Sequence, residues 1–262
     1  MKTELIIARL VKTVSRIPVL NSALRWLAGH YREGSVVRVR SGLAKGMKWR
    51  RHHRYVNGYW IGQYELHLQQ ALANELTSGS VFFDVGANAG FFTILGANKV
   101  GPKGLCVAFD PDEANIASVR ENCDLNELSW VVAVKCAVSN SAGEHWFSQP
   151  ALGAAIGHLT EHAGDGSVLV PTTTLDAAAL EFGMPHVVKI DVEGAEGLVI
   201  RGASKLLYEQ RPVWFVEIHD PILEHEIAVT FDRARYRLFP LANDAASGPH
   251  FPKRILARPQ PS

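Results

Sequence analysis

The chain predicts an α/β protein built on a mostly parallel sheet, and three observations predict it. From Asp84 onward, short apolar runs of strand length alternate with helix-forming stretches. Three of those runs end on an acidic residue, Asp84, Asp110 and Asp191, where an open sheet gathers its ligand-binding groups. The first run, Val81-Phe82-Phe83-Asp84, passes into the turn Gly86-Ala87-Asn88-Ala89-Gly90 and then into Phe91-Phe92-Thr93-Ile94, which reads as the start of a helix. A nucleotide-sized cradle at the carboxyl end of a first strand follows.

At 262 residues, 47% apolar and 20% charged, the chain has enough apolar side chains for one large core. The expected division is a basic N-terminal extension of helices plus a hairpin, residues 1–57, and a main domain, residues 58–258. Cys106, Cys123 and Cys136 form no C-x-x-C pair, so they read as reduced core thiols, and a cytoplasmic setting is expected. The net charge of +1 conceals an asymmetry: residues 1–60 hold 13 Lys/Arg against 2 Asp/Glu, and the remainder hold 14 against 24.

Leu5, Ile6, Leu10, Val14 and Ile17 recur at helical spacing among basic residues, and Pro18 interrupts the pattern; a second helix covers Asn21 to Leu27. No apolar span is long enough to cross a bilayer, and no signal-peptide core is present. The first helix is expected to pack on the domain or on a second copy of the chain, with peripheral contact to an anionic membrane as the alternative. Val36 to Arg40 and Met47 to Arg50 read as a hairpin, and Glu65 to Leu76 as a helix. Adjacent His52 and His53 would point to opposite sides of a strand, so they read as part of a basic patch rather than as a metal pair.

The second strand is Leu105 to Phe109, ending at Asp110, and a helix runs from Asp112 to Asn122; the third strand is Trp130 to Val138. A polar excursion from Ser139 to Gly166 precedes a short helix ending at Phe182. His186 to Asp191 and Val213 to His219 are the fourth and fifth strands, and Tyr236 to Phe239 with Arg254 to Ala257 make a terminal hairpin.

Asp110 lies 26 residues beyond Asp84, the place of an acidic residue that accepts ribose hydroxyls, although a helix cap beside Pro111 is the plainer alternative. A dinucleotide site would want G-x-G-x-x-G, but Gly86 to Gly90 reads G-x-N-x-G and favours a nucleoside with a charged amino-acid tail. Gly-Lys-Ser/Thr and G-x-S-x-G are both absent, which excludes a P-loop and a nucleophile elbow.

Asp84-Val85-Gly86-Ala87-Asn88-Ala89-Gly90, Lys189-Ile190-Asp191-Val192-Glu193-Gly194-Ala195-Glu196 and Glu217-Ile218-His219 together resemble the FkbM family of S-adenosylmethionine-dependent methyltransferases. The likeness runs over about residues 58 to 240 and includes Asn122, Asn126 and Thr174-Leu175-Asp176. It implies the class I, Rossmann-like fold, a seven-stranded mostly parallel sheet with an antiparallel edge hairpin. It also implies S-adenosyl-L-methionine as cofactor, with Asp84, Gly86, Asn88 and Gly90 around its methionine part, Asp110 at the ribose and Ser139 near the adenine. Family members more often carry Glu at the ribose position, so Asp110 keeps the acceptor but shortens its reach.

The expected activity is O-methylation of a hydroxyl on a small molecule, sugar, glycolipid or secondary metabolite. The sulfonium is already an activated electrophile, so the protein has to align the acceptor and remove its proton. Asp191, beside the cofactor, and His219, as a neutral imidazole, are the catalytic candidates; Glu193, Glu217 and His158 are the substrate candidates. Of Glu193 and Glu196, one is expected in the pocket and the other at a helix, without an assignment. No metal is expected, although Asp191, Glu217 and His219 are the set that would hold one. A small-molecule or glycan acceptor is the expected partner, a homo-oligomer is allowed and nucleic acid is disfavoured. The rival readings are an RNA or protein methyltransferase docking through the basic segment, and a non-catalytic scaffold that keeps the ligand.

Overall fold

Val81–Val85 (β3) stands in the middle of a seven-stranded sheet and sends alternate side chains to opposite faces. Phe82 belongs to one apolar cluster and Phe83 to another, and both are fully buried. Each contributes about 2 to 3 kcal/mol by leaving water. The computed structural model describes residues 31–55, 57–148, 158–160, 162–164, 166–241 and 253–261. The two expected N-terminal helices lie outside the described residues.

Val36–Arg38 (β1) and Lys48–Arg50 (β2) pair as the expected antiparallel hairpin, with Val37 opposite Trp49. Leu66–Glu75 (α1) leads to β3, and Phe91–Val100 (α2) follows it. Then come Leu105–Asp110 (β4), Glu113–Leu125 (α3), Val131–Lys135 (β5) and Ala137–Val138 (β6). Gly143–Ser148 (β7), His158–Thr160 (β8) and Ser167–Thr173 (β9) precede Leu175–Phe182 (α4). The chain continues through Val187–Ile190 (β10), Glu196–Arg201 (α5), Val213–Glu217 (β11) and Leu223–Arg233 (α6). It closes with Tyr236–Pro240 (β12) and Arg254–Pro259 (β13).

The main sheet has the order β12-β13-β11-β10-β3-β4-β5. Strands β11, β10, β3, β4 and β5 run parallel, and β12 and β13 add an antiparallel edge. This is the class I arrangement that the family resemblance implied. The strand order reverses between β3 and β10, so their carboxyl ends diverge into a crevice where a ligand fits.

Two differences from the sequence reading matter for the site. The expected third strand, Trp130 to Val138, breaks at Cys136, whose amide turns to the Asp110 carbonyl at 3.2 Å. The chain then leaves the main sheet, and β6 joins a separate four-stranded sheet in the order β6-β9-β7-β8. Within the expected basic extension, residues 31–55 pack into the body: Val39, Trp49 and Tyr55 share one core cluster with Phe82 and Phe91.

Asparagines hold that hairpin down. Asn126 accepts from the Lys48 amide and donates to the Lys48 carbonyl, both at 2.8 Å, and Asn122 accepts from the Arg50 amide at 2.8 Å. Arg54 pairs with Asp112 at 2.6 Å and His52 with Glu121 at 2.9 Å, so part of the basic N-terminal charge is set against acids of the main domain. Among the described residues, no helix is long and apolar enough to cross a membrane.

Candidate active site

The turn after β3 consumes its own amides. Gly86 and Ala87 donate to the Phe109 carbonyl, Gly90 donates to Ala87, and Ala89 donates to its neighbour Asn88 Oδ1. The Asn88 amide goes to Asp110 Oδ2 at 2.9 Å. Asn88 takes the left-handed backbone, φ 50°, which a short amide side chain tolerates. With these donors spent, the turn offers no nest for phosphate.

A cavity opens beside this turn. Gly86, Asn88 and Asp110 line it on one side, and Asp191 and Glu193 on another. Val138, Phe147 and Leu159 supply apolar wall. Phe147 and Leu159 reach it because β7 and β8 belong to the separate sheet. Carboxylates, an apolar wall and no phosphate nest suit a cationic nucleoside, so the donor chemistry fits S-adenosylmethionine.

Asp110 is buried, with Oδ1 accepting from the Asp112 amide at 2.9 Å and from Asn115 Nδ2 at 3.1 Å. Burial pushes its pKa up to about 6, and these donors and the Asn88 amide only partly oppose that. Three hydrogen bonds to the protein leave the short carboxylate about one lone-pair direction for a ribose hydroxyl. Asp110 thus braces the turn and faces the cavity, whereas the helix cap expected of it falls to Asp112, whose side chain accepts from the Asn115 amide at 3.0 Å.

The other cofactor candidates stand behind the wall. Asp84 lies within β3 rather than at its tip, fully buried, accepting from Thr93 Oγ1 at 2.7 Å. Gly90 packs against Val119, where an added Cβ would come within 3.1 Å. Ser139, implied near the adenine, is buried, and Ala137 and Val138 line the cavity in its place. The cause is the entry of β6 into the small sheet, which bonds the Ser139 amide to Thr173 at 2.8 Å.

Across the cavity, the acidic block after β10 divides its labour. Glu193 lines the cavity, whereas Glu196 is fully buried in the first turn of α5. Glu196 Oε1 accepts from the Gly194 amide at 3.0 Å and meets His219 Nδ1 at 2.8 Å. His219 Nε2 faces Glu193 at 3.3 Å, Asp191 at 3.6 Å and Glu217 at 4.0 Å. The Glu196 hydrogen bond foremost, with the charges of Glu193 and Asp191, raises the imidazole pKa to about 9 against the effect of burial. The carboxylates around the ring therefore favour the protonated imidazole, where the sequence suggested a neutral one. Burial raises the Glu193 pKa, partly offset by His219.

Glu217 stands in an adjoining depression with Leu68, Lys189 and Arg254, joined to the cavity through Asp191. Arg254 grips Glu217 with two nitrogens, at 2.8 and 2.7 Å, and reaches Glu65 at 2.8 Å. Burial, reinforced by Glu217, lifts the Glu65 pKa to about 7. His158 pairs through its backbone with Ser148, and its side chain lies outside the described residues.

Lys189 escaped sequence reasoning as a separate residue. Its ammonium, 4% exposed, lies 3.2 Å from Asp84 and 3.5 Å from Asp191. Burial works against its charge, but Asp84 and Asp191 more than compensate and hold its pKa above the ordinary lysine range. The signal was available: a lysine inside Val187-Val188-Lys189-Ile190, a strand buried on both faces, needs anionic partners. Among the described residues, Asp191, Glu193 and His219 form the set able to hold a metal ion, with Glu193 in the place expected for Glu217.

A seven-stranded sheet in this order, with such a cavity at the carboxyl ends of its parallel strands, defines a class: the Rossmann-like, class I methyltransferase fold. The chain belongs to the FkbM methyltransferase family, since the Methyltransferase FkbM domain matches residues 84–238, more than half of it. Hexuronic acid methyltransferase AglP of Haloferax volcanii is 27% identical over 166 residues, covering 63% of this chain and 66% of that protein, just under two thirds. Ribosomal protein L11 methyltransferase of Lachnoclostridium phytofermentans is 42% identical over 64 residues, 24% of this chain and 18% of that one. Among solved structures, methyltransferase FkbM of Methylobacillus flagellatus aligns at TM-score 0.46 and 14% identity, over 80% of this chain and 56% of that chain.

Proposed function

We propose that the protein transfers a methyl group from S-adenosylmethionine to a hydroxyl of a sugar or sugar acid. The observation that carries this reading is the cavity itself. Gly86, Asn88 and Asp110 line one part of it, Asp191 and Glu193 another, so cofactor and acceptor groups share one space. The family match supports methyl transfer, and the likeness to a hexuronic acid methyltransferase supports a sugar acid among the possible acceptors.

On this reading, the cofactor supplies a methyl group already activated on a sulfonium. Asp191 and Glu193, which line the other part of the cavity, would receive the proton that the acceptor hydroxyl gives up on methylation. Gly86 and Asn88 would lie against the amino-acid part, Asp110 would take a ribose hydroxyl, and Phe147 and Leu159 would shield the nucleoside from water. Glu196 orients His219, and Lys189 holds Asp191.

Calorimetric titration with S-adenosylhomocysteine tests the cofactor half, with micromolar affinity expected; folded protein that binds none would sink the proposal. Transfer of a radiolabelled methyl group to a panel of hexoses, hexuronic acids and their glycosides tests the acceptor half. Label in a hydroxyl ether is expected, and label only in RNA or protein would reverse the choice of acceptor.

A further inference from the structure

His219 Nε2 makes no hydrogen bond among the described residues, yet two carboxylates face it from 3.3 and 3.6 Å. Those separations exceed a charge-assisted hydrogen bond, about 2.7 to 2.9 Å. They approach the edge of an octahedron around a small divalent ion: metal–ligand bonds of about 2.1 Å place neighbouring ligands about 3 Å apart. One donor atom from each of Asp191, Glu193 and His219 lies within 4.8 Å of the others.

The surroundings also point to a cation. Glu196, wholly buried, turns one oxygen to His219 Nδ1 at 2.8 Å, and its other oxygen is buried without a hydrogen-bond partner. A carboxylate behind a ligating imidazole fixes the ring and directs its second nitrogen at the ion. Apart from the imidazole itself, positive charge is scarce there. Lys189 is engaged by Asp84 and Asp191, and Arg254 by Glu217 and Glu65. Among the described residues, neither Glu193 nor Glu196 forms an ion pair with a lysine or arginine.

We propose that Asp191, Glu193 and His219 form a divalent-cation site whose remaining positions open on the cavity and take two neighbouring oxygens of the acceptor. Two carboxylates and one imidazole suit manganese or magnesium with oxygen co-ligands. Adjacent hydroxyls, or a hydroxyl and the carboxylate of a sugar acid, present such a pair. An ion there displaces the proton from Nε2, draws anionic or polyol acceptors into an otherwise acidic pocket and lowers the pKa of the bound hydroxyl. The role assigned to the acceptor rests on the function proposed above; the ion site itself does not.

The test uses the full chain and Mn2+ alone, followed by electron paramagnetic resonance and calorimetry. A single site of micromolar affinity is expected, displaced by millimolar Mg2+. Glu193→Gln and His219→Asn should each weaken it at least about tenfold, and Glu196→Gln, which only orients the imidazole, by about tenfold. Glu33→Gln, beside His52 and His53 on the surface, should leave it unchanged. Circular dichroism checks that each variant folds. No stoichiometric site at millimolar Mn2+, or a site that survives Glu193→Gln, overturns the inference. S-adenosylhomocysteine titrated in the presence of a chelator separates the two readings, because cofactor binding without a manganese site refutes the ion and leaves methyl transfer standing.

Discussion

Lys189 Nζ lies 3.2 Å from Asp84 and 3.5 Å from Asp191, joining the strand before the cofactor turn to the carboxylate across the cavity. The same ammonium donates to the Gly86 carbonyl at 3.4 Å. Lys189→Met strands the fully buried Asp84 charge, and breaking a buried pair in this way costs about 3 to 5 kcal/mol. Adding Asp84→Asn removes the stranded charge, so the double variant should recover most of the loss. Urea midpoints of the single and double variants check this; a single variant within about 1 kcal/mol of the parent would contradict it.

Gly86 is where the two halves of the site touch. Its φ is 77°, and a Cβ built there would lie 1.8 Å from the Asp191 carbonyl oxygen. Gly86→Ala should push β10 away from β3 and abolish S-adenosylhomocysteine binding, with a stability loss of at least about 2 kcal/mol. Gly46 also has a positive φ, 89°, but a Cβ there meets nothing within 4 Å. Gly46→Ala should therefore bind normally, and calorimetry on the pair separates steric collision from backbone strain.

Asp110 gives the site a pH dependence whose sign differs between two measurements. Its pKa is raised to about 6, so in the cofactor-free protein it carries a proton below that pH and a charge above it. The ionised form is the better acceptor for ribose, so cofactor affinity should rise with pH and be about tenfold lower at pH 5 than at pH 8. Folding stability from this group runs the other way. It is fully present below the unfolded value near 4 and is lost as pH rises through about 6. Asp110→Asn should flatten both curves, as titration calorimetry and denaturation across pH 4.5 to 8 would show (about 0.5-unit steps resolve the transition).

Asn126→Ala should loosen the N-terminal hairpin without touching the cavity. It removes both hydrogen bonds to the Lys48 backbone and leaves that amide without its partner, a loss of about 1 to 3 kcal/mol. Faster amide exchange at Lys48 and Arg50, with cofactor affinity retained, is the expected result. Unchanged exchange would show that the Trp49 packing alone holds the hairpin.

What the sequence by itself determined is local and repetitive. Alternating apolar runs marked β3, β4, β10 and β11, because strands covered on both faces must be apolar along their length. Gly86 and Gly90 marked the turn, and the Lys189 to Glu196 block marked the family. Tertiary structure decided how side chains beyond the strand ends meet, since that depends on contacts far apart in the chain. Only the fold buries Glu196 behind His219 and leaves Glu193 at the cavity, although both follow Asp191 by a few residues. Only the turn of Cys136 toward Asp110 moves Ser139 off the cavity wall, and a single backbone bond of that kind leaves no trace in hydrophobic periodicity. The charge state of His219 was equally out of reach, because an imidazole takes its pKa from the carboxylates the fold assembles around it.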